Sequence, residues 1–141
     1  MELPFEIIVN STDETKELAT RFASQLKPGD IVAFVGNLGT GKTFFIKKIA
    51  KRFGVDEVTS PTFSIVNTYD GNVKINHFDF YRIKKEGELY DIGFEEYLND
   101  SSAITFIEWA DMFEEILPQN IYRVEILYQG ESKRKIKISK E

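Results

Sequence analysis

The sequence contains no cysteine, and this absence excludes disulfide bonds, iron–sulfur clusters and zinc sites that are built on cysteine. It also lacks an apolar run close to the roughly 18 residues that cross a membrane, and its start, MELPFEIIVN, has no signal-peptide layout. Neither charge dominates, because 18 Lys and Arg stand against 23 Asp and Glu, so a general nucleic-acid-binding surface is not favoured. No repeat, low-complexity tract or linker divides the chain. We expect residues 1–141 to form a single cytoplasmic domain without a membrane partner.

Large apolar side chains are plentiful, since 42% of the residues are hydrophobic and 12 are phenylalanine. Short apolar or alternating runs predict strands at Phe5–Val9, Ile31–Val35, 63–69, 73–79, 103–107, Tyr122–Tyr128 and 134–139. Helical spacing predicts one helix from the capping pair Ser11 and Glu14 to Pro28-Gly29, a second over about 43–53, and short helices within 86–96. This alternation, with hairpins turning at 70–72 and 129–131, indicates an α/β domain with a mixed sheet.

A glycine-rich segment, GNLGTGKT, matches the phosphate-loop pattern G-x-x-x-x-G-K-[ST]. Its residues are Gly36, Asn37, Leu38, Gly39, Thr40, Gly41, Lys42 and Thr43. The glycines let backbone N–H groups surround phosphate, Lys42 can reach β- and γ-phosphate oxygens, and the Thr43 hydroxyl can bind Mg²⁺. The segment lies between a buried strand and an amphipathic helix, which is the context that the motif requires. We therefore predict nucleotide binding on a three-layer, P-loop NTPase-like fold.

Magnesium in such a site needs an acidic side chain from the end of a neighbouring strand. Glu108 follows a short and wholly apolar strand, which is the more usual setting for this acid. Asp79 ends the strand over 73–79 and is the alternative, although Arg82 lies near enough in sequence to pair with it.

Several classes of nucleotide protein are disfavoured. The chain has neither the N/T-K-x-D segment that reads guanine nor a suitably placed D-x-x-G, so we expect adenine specificity. Its five arginines are scattered, whereas a nucleotide kinase clamps two phosphorylated substrates with several. Three hypotheses stay open: a small ATPase that serves a partner, a small-molecule kinase with a minimal acceptor site, and a nucleotide-dependent binding module with negligible hydrolysis.

Five segments together resemble the bacterial TsaE family, also called YjeE, in their order and spacing over nearly the whole chain. They are GNLGTGKT (36–43), SPTFSIVNTY (60–69), HFDFYRI (77–83), ELYDIGFEEYL (88–98) and FIEW (106–109). The departures are small: Thr40 and Phe44 stand where the family more often has Ala and Thr, and neither change removes a phosphate or metal ligand.

The resemblance implies a Mg²⁺-dependent ATPase, converting ATP to ADP, that supports synthesis of threonylcarbamoyladenosine (t6A) beside the anticodon of certain tRNAs. In that family the ATPase does not itself transfer the threonylcarbamoyl group. It associates with the TsaD–TsaB pair, in which TsaD performs the transfer, and it reaches tRNA only through that complex.

The resemblance also implies roles for individual residues. Lys42 contacts phosphate, Thr43 and Glu108 bind Mg²⁺, and Asp79 assists the metal or the attacking water. Thr62, in SPTF, belongs to a switch-like loop that approaches the γ-phosphate.

Expectations extend to five further residues. The resemblance implies that Thr12, at the start of the first helix, and the basic pair Lys133 and Arg134 flank the adenine and ribose. His77, the only histidine, is interpreted as a packed residue because it lies on an alternating strand. Trp109 is either a core or rim aromatic or part of the nucleotide pocket or a partner contact, and the sequence leaves both alternatives open.

Overall fold

The computed structural model describes residues 1–37, 39–59 and 65–141. In these ranges seven strands form one mixed sheet with the spatial order β1–β7–β6–β2–β5–β4–β3. The strands are β1 (Phe5–Val9), β2 (Ile31–Val35), β3 (Val66–Asp70), β4 (Lys74–Asp79), β5 (Ala103–Glu108), β6 (Tyr122–Tyr128) and β7 (Arg134–Lys140). The central strands β6, β2, β5 and β4 are parallel, and β3, β7 and β1 each pair antiparallel with a neighbour.

Helices cover both faces of the sheet. On one face lie α1 (Thr12–Ala23) and α2 (Lys42–Arg52); on the other lie α3 (Gly87–Asp91), α4 (Phe94–Leu98) and the 3₁₀ helix Ala110–Ile116. Successive side chains of β2 point to opposite faces of the sheet and so contribute to both cores. Val32 and Phe34 pack in the α1–α2 layer, and Ala33 packs in the opposite layer. The expected three-layer α/β fold with a mixed sheet and two hairpins is confirmed.

The start of α1 follows the sequence prediction. The Ser11 hydroxyl accepts the Glu14 backbone N–H at 3.1 Å, and the Glu14 carboxylate accepts the Asn10 backbone N–H at 2.8 Å. These two bonds stabilise the turn between β1 and α1.

The end of α1 differs from the prediction that Pro28-Gly29 terminates it. The helix ends at Ala23, because the N–H groups of Gln25 and Leu26 bond carbonyls only three residues back and tighten the last turn. Leu26 still packs in the core, but it does so from this turn.

The parallel strands bring several sequence elements to one edge. The phosphate loop follows the carboxyl end of β2, while Asp79 and Glu108 end β4 and β5 and are direct partners in the strand register. Ligands of open α/β sheets bind at this edge, outside the carboxyl ends of the strands. In the described ranges the helices are too short or too polar to cross a membrane.

Candidate functional site

The phosphate loop is shaped by glycines at its two ends. A Cβ on Gly36 would lie 2.5 Å from the carbonyl oxygen of Ile126, so a side chain there would collide with β6. Gly41, which precedes α2, has φ 105°, a conformation that favours glycine. The loop therefore directs the amino-terminal end of α2, with its positive dipole, toward the sheet edge.

Lys42, the first residue of α2, is buried against the loop and an aromatic ring. Its Nζ donates to the carbonyl oxygens of Gly36 and Asn37, the latter at 3.0 Å. The same atom lies 4.1 Å from the centroid of the Trp109 ring, within the range of a cation–π contact. Trp109 adopts φ 58°, an unusual value for a large side chain, and this conformation brings its ring to the phosphate loop.

Thr43 and Glu108 meet across the loop. The Thr43 hydroxyl donates to Glu108 Oε1 at 2.9 Å, and the other carboxylate oxygen, Oε2, lies 2.6 Å from Nε2 of His77. Glu108 is 3% exposed and His77 is fully buried. The structure thus brings together the two residues that the sequence assigned to Mg²⁺ and adds a third residue that the sequence did not.

Asp79 lies beside this group in a different environment. It is half-buried, and its Oδ1 accepts the backbone N–H of Tyr81 at 2.9 Å. Burial and the nearby Glu108 carboxylate raise the pKa of Asp79, against the lowering effects of the Tyr81 N–H, His77 and Arg82.

The charge of Lys42 is balanced by the acids around it. Burial lowers the pKa of Lys42, and the carboxylates of Glu108, Asp111 and Asp79 act in the opposite direction. The sheet edge therefore combines one buried cation with acidic groups on both adjoining strands, an arrangement that suits a phosphate chain accompanied by a divalent metal ion.

The donor set fits Mg²⁺ in a nucleotide complex. Mg²⁺ prefers oxygen ligands at about 2.0–2.1 Å in octahedral geometry, so two adjacent ligands lie about 2.9 Å apart. The Thr43 hydroxyl and Glu108 Oε1 have this separation. Among the described residues no three His, Asp or Glu side chains form a metal cage, and Mg²⁺ in such sites takes its other ligands from water and phosphate.

A cavity of about 430 Å³ adjoins the phosphate loop on the side of α1. It is lined by Asn10, Ser11, Thr12, Thr15, Thr40, Gly41, Phe44, Glu131, Ser132 and Arg134. Its volume falls within the ~300–1,000 Å³ that is usual for small-molecule sites. Thr12 and Arg134, two residues expected near the base, therefore line one cavity.

Arg134 and Lys133 differ in position although they are adjacent. Arg134 donates from Nε to the carbonyl oxygen of Thr40 at 3.0 Å and so joins the β6–β7 turn to the phosphate loop. The Lys133 side chain is exposed and is not part of the cavity lining. Leu38 and Thr62, which were also predicted to belong to the site, lie outside the described residues.

The role of His77 is what sequence reasoning missed. His77 is packed, as predicted, but it also contacts Glu108. Period-two spacing was the available signal, because His77 and Asp79 must lie on the same face of β4. For Trp109, the contact with Lys42 favours the nucleotide-site alternative.

Comparison with known proteins identifies the family. The model of the family "Threonylcarbamoyl adenosine biosynthesis protein TsaE" matches residues 9–136. The chain belongs to the TsaE family. This finding confirms the resemblance of the five segments.

Individual TsaE proteins are similar to this chain over most of their length. The chain is 41% identical to a TsaE protein of Rickettsia felis over 131 residues, which are 91% of this chain and 75% of the relative. It is 40% identical to the TsaE protein of Bacillus subtilis over 126 residues, 88% and 78% of the two chains. The crystal structure of Bacillus subtilis YdiB superposes with a TM-score of 0.78 at 32% identity, covering 98% of this chain and 86% of YdiB.

Proposed function

We propose that this member of the TsaE family is a Mg²⁺-dependent ATPase that supports t6A modification of tRNA by the TsaD–TsaB pair without itself transferring the threonylcarbamoyl group. Residues 1–141 would act as one domain in the cytoplasm and reach tRNA only through the complex. The observation that carries the proposal is the 2.9 Å bond between the Thr43 hydroxyl and Glu108, at the start of the helix that follows the phosphate loop.

The phosphates of ATP would bind at the amino-terminal end of α2. Backbone N–H groups of the loop and the helix dipole attract the anion, and the glycines allow the chain to approach it closely. Lys42 adds a charge-assisted contact to the β- and γ-phosphate oxygens, from a position already inside the loop. Because Lys42 is buried, this contact would be screened little by solvent.

Thr43 and Glu108 would hold the metal ion, and Asp79 would act next to it. Bound Mg²⁺ neutralises charge that develops on the β- and γ-phosphate oxygens. Asp79, which ends the adjacent strand and is more accessible than Glu108, would orient the attacking water through its carboxylate.

The adenosine would occupy the cavity beside the loop. Among the lining residues, Thr12 offers a hydroxyl, Phe44 offers an apolar surface, and Arg134 offers a guanidinium group. Since the chain lacks the segment that reads guanine, we expect ATP to bind in preference to GTP. Competition by GTP as effective as that by ATP would contradict this specificity.

Slow hydrolysis by the isolated chain is part of the proposal. P-loop enzymes are commonly accelerated by an arginine that contacts the transferred phosphoryl group. Arg134 contacts the phosphate loop, but its guanidinium donates to the carbonyls of Thr40, Gly39, Gly130 and Lys133. A partner that aligns the water and phosphate would therefore raise the rate, because positioning and charge supply most of the catalysis in this reaction.

The test is steady-state release of inorganic phosphate from ATP, with and without purified TsaD and TsaB. We expect slow release by the chain alone and faster release with the pair, and no release in either case from the Lys42→Ala variant. Equal rates with and without the pair would contradict the partnership. Transfer of the γ-phosphate to a small acceptor instead of water would support a small-molecule kinase.

A further inference from the structure

The only histidine of the chain lies behind the acid that is proposed to hold the metal. His77 is on β4, two residues before Asp79, and its side chain is fully buried. Its register partner on β5 is Phe106, so the imidazole reaches diagonally to Glu108, two residues further along that strand. The distance from Nε2 to Glu108 Oε2 is 2.6 Å, a short hydrogen bond.

The two oxygens of Glu108 are thereby fixed by different elements. Oε1 accepts the Thr43 hydroxyl from α2, and Oε2 meets His77 from β4. When Glu108 is ionised, as a metal ligand must be, it only accepts hydrogen bonds, and Nε2 of the imidazole then supplies the proton of the second contact. Rotation of the carboxylate away from Thr43 would break both bonds.

The other imidazole nitrogen indicates that packing alone does not explain this residue. His77 Nδ1 is buried and has no hydrogen-bond partner among the described residues. An unpaired buried polar atom is unfavourable, and an apolar side chain would fill the same space without one. The contact that offsets this disadvantage is the one with Glu108.

We propose that His77 is a positioning residue that orients Glu108 for the metal. This inference rests on the proposed Mg²⁺–nucleotide site. It adds that His77 acts through the Glu108 carboxylate, without touching nucleotide or metal. Hydrogen bonds behind a metal-binding side chain typically change metal affinity by about 10- to 100-fold when they are removed. Loss of the His77 bond should therefore weaken Mg²⁺ binding while leaving nucleotide binding without metal unchanged.

The first experiment measures ADP affinity by calorimetry over a range of Mg²⁺ concentrations and in EDTA. His77→Leu, which removes the donor, should keep the wild-type ADP affinity in EDTA. It should raise the Mg²⁺ midpoint, the Mg²⁺ concentration that gives half of the change in ADP affinity, by about tenfold or more. His77→Gln, whose amide can donate near the position of Nε2, should restore the midpoint to within about threefold of wild type. In a Glu108→Gln background, His77→Leu should add little, because the bond it removes acts through Glu108.

Several results would overturn the proposal: a wild-type midpoint for His77→Leu, equal defects in His77→Leu and His77→Gln, or an equal loss of ADP affinity in EDTA and in Mg²⁺. Failure of the wild-type chain to bind ADP, or to respond to Mg²⁺, would overturn the proposed function as well. Normal wild-type behaviour with unaffected His77 variants would overturn only the positioning role.

A second measurement needs no variant and so does not depend on the variants folding. In the untagged wild-type chain, long-range ¹H–¹⁵N spectra of the imidazole come from His77 alone, because the chain has one histidine. We expect a proton on Nε2, and a shift of the Nε2 signal when Mg²⁺ is added to the ADP complex. A proton on Nδ1 with a bare Nε2, or spectra that do not respond to Mg²⁺, would contradict the proposal.

Discussion

The carboxyl ends of β4 and β5 carry two acids that are direct register partners but have different surroundings. Glu108 is 3% exposed and is fixed by side chains from two other elements, Thr43 and His77. Asp79 is half-buried and accepts a backbone N–H from Tyr81, two residues along its own chain. Two acids at equivalent strand ends therefore differ in exposure and in hydrogen-bond partners, because different elements pack over each strand end.

The two acids are therefore suited to different roles in the proposed reaction. An acid held by two cross-element bonds is suited to a ligand of fixed geometry, as Mg²⁺ requires. An acid that solvent can reach, and whose pKa is raised by burial and by the charge of Glu108, is suited to orienting water. The following predictions test whether the two strand ends differ in this way.

The largest effect is expected from Glu108→Gln. Phosphate release should fall on the order of 10³-fold, the scale seen when one fixed group that stabilises transition-state charge is removed. Nucleotide affinity in EDTA should change by less than about twofold. Steady-state phosphate release and calorimetry measure the two quantities. If Glu108→Gln hydrolysed ATP normally, Asp79 would become the main acidic metal partner and the comparison would be reversed.

A smaller effect is expected from Asp79→Asn. Phosphate release should fall about 10²-fold, because the variant loses the acceptor that orients water, while the Mg²⁺ midpoint for ADP binding stays close to wild type. Release by the wild type should also decline as the pH falls through the raised pKa of Asp79, and the variant should lack this decline. A raised Mg²⁺ midpoint in Asp79→Asn would show that both strand ends hold the metal.

Lys42→Ala tests the cation that faces both acids. Removing a charge-assisted contact of about 1.5–3 kcal/mol should weaken ATP binding by roughly 10- to 100-fold. Lys47→Ala, on the exposed face of the same helix, is the matched control and should bind ATP normally. Calorimetric titration with the same affinity for both variants would remove Lys42 from the phosphate site.

The smallest effect concerns stability. The folded state raises the pKa of Asp79, so it binds the proton more tightly than the unfolded chain, and stability falls as the pH rises through that pKa. Asp79→Asn stays neutral, and its Tm at pH 7 should exceed the wild-type value by about 1–4 °C. Asp56→Asn, at an exposed position outside the site, should leave the Tm unchanged. A lower Tm for Asp79→Asn in thermal unfolding would contradict this assignment.

Local patterns predicted most of the fold, whereas contacts distant in sequence were predicted poorly. The strands and the phosphate loop follow from runs of a few residues, so their positions agree with the structure within about one to three residues. The end of α1 was wrong because Pro28-Gly29 is a strong stop signal, while the actual end is a tight turn that packs Leu26.

In the site, too, contacts between residues distant in sequence were harder to predict than local motifs. Thr43 and Glu108 were named from a motif and a strand end, although they lie 65 residues apart. The contact of His77 with Glu108 depends on the register between β4 and β5, and no pattern within either strand determines that register. The bond from Arg134 to Thr40 spans 94 residues, and only the family resemblance pointed to this region. Trp109 stayed ambiguous because its placement depends on its own positive φ.

The most direct test of the central claim, that Glu108 and not Asp79 holds the metal, is a calorimetric titration of ADP with and without Mg²⁺. It compares the wild type, Glu108→Gln and Asp79→Asn. We predict that Mg²⁺ strengthens ADP binding to the wild type and to Asp79→Asn but not to Glu108→Gln, and that the three proteins agree in EDTA. A response to Mg²⁺ that persists in Glu108→Gln and disappears in Asp79→Asn would contradict the account.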